Sequence, residues 1–87
     1  MKKINLIKLE TLPNAEYPQE DKYSSGEIVK KGLMFPHSIP KVGECFYVHK
    51  LQLGSMFRTS LVQSVEEIED GYIITTINSK YKIEIVK

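Results

Sequence analysis

The feature that most constrains the fold lies in the last third of the chain. Tyr81, Ile83 and Ile85 alternate with Lys80, Lys82 and Glu84. Successive side chains of an extended strand point to opposite faces, so this segment carries one apolar and one charged face. A helix would leave the three apolar residues on no common stripe. Before it, Gly71-Tyr72-Ile73-Ile74-Thr75-Thr76-Ile77 is rich in β-branched and aromatic residues, the composition of a strand. Asp70-Gly71 is a hairpin turn signal because both residue types tolerate positive φ, and Asn78-Ser79 marks a second turn. Phe57 to Ile68 reads as one long strand with Phe57, Thr59, Leu61 and Val65 on a common face. Ile68 falls out of that phase, which places a bulge near Glu66-Glu67. Strand, turn, strand, turn, strand is an antiparallel meander.

Three further strands are expected upstream. In Glu44-Cys45-Phe46-Tyr47-Val48-His49-Lys50, Phe46 and Val48 share one face and Cys45, Tyr47 and His49 the other. Gly26 to Leu33 and Lys3 to Leu9 are the other two. The stretch from Glu10 to Ser25 holds Pro13, Asn14 and Pro18 among polar residues and reads as a long loop or arm. At 87 residues the chain is a single domain spanning 1–87. Five to six short antiparallel strands in so small a domain curl into a barrel rather than leave a sheet face uncovered. The expected fold is therefore mostly β, a small SH3-like or OB-like barrel with a C-terminal meander.

Charge narrows the classes of partner. The formal net charge is +1, so no global field draws the chain to nucleic acid or an anionic membrane. Acids gather at one place only, in Glu66, Glu67, Glu69 and Asp70. The single cysteine, Cys45, has no internal disulfide partner, which favours a reducing compartment. Asn5, Lys8 and Glu10 interrupt the apolar residues near the N-terminus, and no apolar run reaches membrane-spanning length. A cytoplasmic protein without membrane attachment is expected.

Catalytic and metal chemistry find little purchase. Cys45 and His49 would share a strand face, but four residues of strand span about 13 Å. That is too far for both to ligate one ion, and His37 adds no close pair. Neither Ser55, Ser60, Ser64 nor Cys45 sits in a nucleophile-elbow sequence. The acids at the Asp70-Gly71 tip fit a solvated edge better than a cleft. The five glycines are scattered and form no phosphate loop. No enzyme, cofactor or metal site is expected.

Binding remains. Arg58, Thr59 and Ser60 at one strand end, with Asn78, Ser79 and Tyr81 at a turn, gather polar groups toward one rim of the meander. Such a rim suits a partner protein or a small anionic or nucleotide-like ligand, since arginine offers a planar fork of donors. Tyr47, His49, Lys50, Phe57 and Arg58 form a second candidate surface, for single-stranded nucleic acid, although the balance of acids and bases argues against it.

Gly43-Glu44-x-Phe46, Arg58-Thr59-Ser60-x-Val62 and Thr76-x-Asn78-Ser79-x-Tyr81-x-Ile83-Glu84 resemble a pattern in small uncharacterised β-barrel proteins of bacteria, phages and mobile elements. The resemblance covers residues 26–86. It implies a compact barrel and, by setting, a protein that binds and blocks or regulates a host or defence protein. The expected function is thus a non-catalytic binding module acting by protein–protein contact. A nucleic-acid-binding barrel and a small-ligand or nucleotide-sequestering protein are the alternatives. Exposed strand edges also admit pairing with a second copy as a homodimer.

Overall fold

The computed structural model describes residues 2–12, 25–49 and 56–86. Among them six strands follow one another: β1 (Lys2–Thr11), β2 (Ile28–Met34), β3 (Cys45–His49), β4 (Met56–Ile68), β5 (Gly71–Thr76) and β6 (Ser79–Ile85). A 3-10 turn, Pro36–Ser38, precedes β3. The strands form a closed barrel in sequential order, each antiparallel to the next. β1 closes it by pairing with β6, from Ile4 opposite Ile85 to Thr11 opposite Ser79. The mostly-β small barrel and its C-terminal meander are therefore what the chain forms. Closure pairs the first strand with the last. Among the described residues no helix is long and apolar enough to cross a membrane.

Inward faces supply the core. Ile4, Leu6, Phe46, Val48, Val62, Ile74, Tyr81 and Ile83 are buried, and Phe57, Val65, Tyr72 and Ile85 pack against them. The period-2 reading holds for β6, where Tyr81 and Ile83 point in, and for β3, where Phe46 and Val48 do. Each fully buried aliphatic or aromatic side chain contributes about 1.5–3 kcal/mol from burial.

The long strand β4 departs from expectation. Its lower end is regular: Glu66 faces Ile73, Glu67 faces Tyr72 and Ile68 faces Gly71. No bulge lies at Glu66-Glu67. Instead, one irregularity falls between the Cys45–Leu61 and Tyr47–Arg58 pairs, and another between Val62 and Ser64. Each adds one residue, so Thr59, Val62 and Val65 point inward at a spacing of three rather than two. Leu61, expected to share the face of Thr59, turns outward and is exposed. Ile68 is out of phase with Val65 because the ladder between them is regular and Ile68 falls on the opposite face; the extra residues lie further up the strand.

The two meander turns are each one residue earlier than expected. Glu69 and Asp70 form the first, and Gly71 opens β5. Ile77 and Asn78 form the second, and Ser79 opens β6. The expected arm starts later than Glu10, because β1 runs on to Thr11. Its far end returns to β1. Ser25 Oγ donates to the Leu9 carbonyl at 2.6 Å, and the Gly26 amide donates to the Lys8 carbonyl at 2.7 Å. Residues 13–24, the bulk of that arm, and Lys50 lie outside the described residues.

Candidate functional site

The bulge in β4 is a built feature. Phe46 has two residues opposite it, Thr59 and Ser60, so its amide loses a regular ladder carbonyl. The Thr59 hydroxyl replaces it. Thr59 Oγ1 accepts from the Phe46 amide at 3.0 Å and donates to the Ser60 carbonyl at 2.8 Å. The threonine is drawn into the interior, and the strand re-emerges with Leu61 facing solvent.

The second turn is held the same way. Thr76 Oγ1 accepts from the Ser79 amide at 3.1 Å and donates to the Ser79 carbonyl at 2.9 Å. The Ile77 amide donates to the Leu61 carbonyl at 3.1 Å, and the Leu12 amide donates to the Asn78 carbonyl at 2.8 Å. The end of the barrel is thus sewn to β4 and to the exit of β1.

These bonds relocate the expected rim. Thr59, Asn78, Ser79 and Tyr81 are all buried, at 2% exposure or less. They line the interior together with Thr76 and Lys8, a lysine that the strand alternation turns inward. None of Lys8, Asn78, Ser79 and Tyr81 lacks a partner. Only Arg58 of the rim set is exposed. It lies three residues before Leu61, where the second turn is tied, with the Thr59-Ser60 bulge between them.

Ser60 behaves differently from Thr59. Its Oγ is buried and has no hydrogen-bond partner among the described residues. A buried hydroxyl without a partner carries a desolvation cost with no compensating bond. Ser60→Ala is therefore expected to leave stability unchanged or to raise it by up to about 1 kcal/mol, read from the urea midpoint. A loss of more than about 1 kcal/mol would show the hydroxyl to be bonded.

With the rim internal, the surface that stands out is the outer face of β3 and β4. Three cross-strand pairs compose it: Cys45–Leu61, Tyr47–Arg58 and His49–Met56. The alternation that buries Phe46 and Val48 turns Cys45, Tyr47 and His49 outward. Met56 is 54% exposed. In the turn that leads into β3, Val42 is 63% exposed. The next residue, Gly43, ties that turn to β4, its amide donating to the Val62 carbonyl at 2.9 Å. At the other end Phe35 meets His49 edge-on, with ring centroids 4.8 Å apart, and stacks on His37 at 5.7 Å. Ser38 fixes that turn, accepting from the Phe35 amide and donating to its carbonyl.

The opposite side of the barrel is a useful contrast. There the outer face is cross-linked by polar groups. Asn5 Nδ2 donates to Glu84 Oε1 at 3.1 Å, Lys82 pairs with Asp70 at 3.5 Å and Lys80 with Glu10 at 3.9 Å. Arg58, among the described residues, makes no ion pair. The second candidate surface survives in part: Tyr47, His49 and Arg58 do share one face. Phe57 does not join them, because it packs against the core.

Cys45 is a free, half-buried thiol. Among the described residues no three His, Cys, Asp or Glu side chains are placed to hold a metal ion. An open groove of about 210 Å³ lies between Leu12, Gln63 and Thr75–Ile77. It is smaller than the roughly 300–1,000 Å³ of typical small-molecule sites, and none of its lining residues is titratable. No protein-family description, curated protein or solved structure matches the chain.

Proposed function

We propose that this barrel is a non-catalytic binding module that acts by protein–protein contact through the outer face of β3 and β4. The observation that carries this reading is the set of three cross-strand pairs. They bring tyrosine, arginine, methionine, leucine and histidine together on a rigid sheet, with no carboxylate among them. Tyrosine, arginine and methionine are enriched in interface centres, where lysine and acids are depleted. A closed barrel presents these residues pre-organised, so little conformational entropy is lost on contact. The resemblance to small phage and mobile-element proteins supports a blocking or regulatory role for that contact, on a host or defence protein. The lone thiol of Cys45 suits a reducing cytoplasm.

A capture experiment tests the reading. The immobilised domain is incubated with nuclease-treated bacterial lysate, alongside Val42→Asp, Leu61→Asp and, as a control on the opposite face, Lys80→Ala. The expected result is a nuclease-resistant partner held by the wild type and by Lys80→Ala, and lost with either aspartate variant while both still melt cooperatively. Equal capture by all four proteins would place the contact elsewhere.

Nucleic-acid binding is the second reading, because Tyr47, His49 and Arg58 do share a face. It requires a capture signal that nuclease abolishes and that falls steeply with salt.

A further inference from the structure

The three cross-strand pairs stand in a definite order along the β3–β4 face. Tyr47–Arg58 is the middle pair. Apolar side chains stand on both sides of it along β4, Met56 before and Leu61 after. Arg58 is exposed and makes no ion pair among the described residues, and its guanidinium carries five donors. Tyr47 stands directly across the ladder from it and supplies an apolar ring body beside the charge.

Given that this face is the contact surface proposed for the barrel, we infer that it takes an extended peptide segment of a partner protein in which one carboxylate is flanked on both sides by apolar residues. The spacing supports this. Met56 and Arg58 are two strand residues apart, about 6.6–6.8 Å. A partner strand repeats its same-face side chains at that interval. Leu61 is three residues from Arg58 in sequence, but the bulge between them leaves their ladder partners, Cys45 and Tyr47, only two residues apart. An apolar–x–acid–x–apolar segment laid along β4 would therefore set its carboxylate on Arg58 and its flanking side chains on Met56 and Leu61. A carboxylate matches the guanidinium fork bidentately, and the apolar flanks exclude water from the pair, which strengthens it.

A nucleic acid fits less well. Its affinity comes from several phosphates met by several cations, whereas the three pairs carry one arginine. Further along the same strand Glu66 and Glu67 are exposed and would repel a phosphate backbone tracking β4.

The test uses immobilised peptide arrays of the pattern apolar–x–Asp/Glu–x–apolar, with matched arrays centred on Asn and on Lys, probed with the intact domain. Acid-centred peptides are expected to be retained at least about tenfold better than Asn-centred ones, the loss expected for a charge-assisted bond. Arg58→Met should erase that preference while keeping weak apolar retention, and Arg58→Lys should restore part of it. Equal retention of acid- and Lys-centred peptides would overturn the inference. So would tighter binding of a single-stranded oligothymidylate than of any acid-centred peptide. Failure here is separable from failure of the contact face. If Leu61→Asp abolishes lysate capture while Arg58→Met leaves it intact, the face stands and the acidic partner falls.

Discussion

Gly71→Ala is expected to destabilise the barrel by at least about 4 kcal/mol, a loss reserved for severe steric or cavity defects. Gly71 opens β5 opposite Glu84, at a point where β5 and β6 approach closely. It is buried, its φ is +154°, and a Cβ placed on it would overlap the Ile83 carbonyl oxygen. That oxygen is backbone, so it cannot rotate aside. Relief requires β5 and β6 to separate, and Tyr72 opposite Ile83 is the next pair to open. A domain of this size is stable by only about 4–13 kcal/mol, so the variant is expected to be largely unfolded in water. Gly43→Ala is the matched control. Gly43 has φ +89°, but nothing among the described residues lies within 4 Å of its Cβ position, so only the left-handed backbone cost of about 1–2 kcal/mol applies. Urea denaturation followed by far-ultraviolet circular dichroism reads both. A Gly71→Ala protein within about 1 kcal/mol of the wild type would mean that the strands are not that close.

Thr76→Val is the second large effect, expected at about 2–4 kcal/mol from two lost buried bonds. The substitution conserves shape. It removes the hydroxyl that receives the Ser79 amide and caps the Ser79 carbonyl, in a site with no solvent exposure. Water cannot replace those bonds without entering the barrel end, and the new methyl group meets polar backbone. Thr76→Ser retains the hydroxyl and is expected to recover most of the loss. Amide hydrogen exchange at Ser79 adds a local readout: fast exchange in Thr76→Val and near-native protection in Thr76→Ser. If Val and Ser behave alike, the hydroxyl is not what holds the turn. The same turn anchors Leu12 and Leu61 through its backbone, so its loosening should propagate to the upper part of β4.

Some parts of this architecture are legible in the sequence because their causes are local. The alternation of Tyr81, Ile83 and Ile85 with charged residues follows from backbone geometry within one strand, and so does that of Phe46 and Val48. Both survive unchanged in the barrel. The glycine after Asp70 is also visible, though for a different reason than the turn rule gives. Its function is to let β6 come close, rather than to supply a turn conformation.

The candidate site was less legible. Cys45, Tyr47 and His49 can be assigned to an outward face from β3 alone. Their partners on β4 cannot, because Arg58 and Leu61 are three residues apart and a regular strand would put them on opposite faces. Only the extra residue at Thr59-Ser60 brings both outside, and that bulge exists because the Thr59 hydroxyl can satisfy the Phe46 amide across the ladder. In the same way Asn78, Ser79 and Tyr81 look like an open polar rim until β1 closes against β6 and places them inside.

Taken alone, the sequence determined the strand content, the inward residues of β3 and β6, the two meander turns to within one residue, and the small-barrel class. The tertiary structure decided the barrel's closure, the placement of both bulges, the burial of the expected rim and the assembly of the Tyr47–Arg58 face. The physical reason is that side-chain alternation is a property of one strand's backbone, whereas register, bulging and closure are set by which hydrogen-bond partners each strand finds across the ladder.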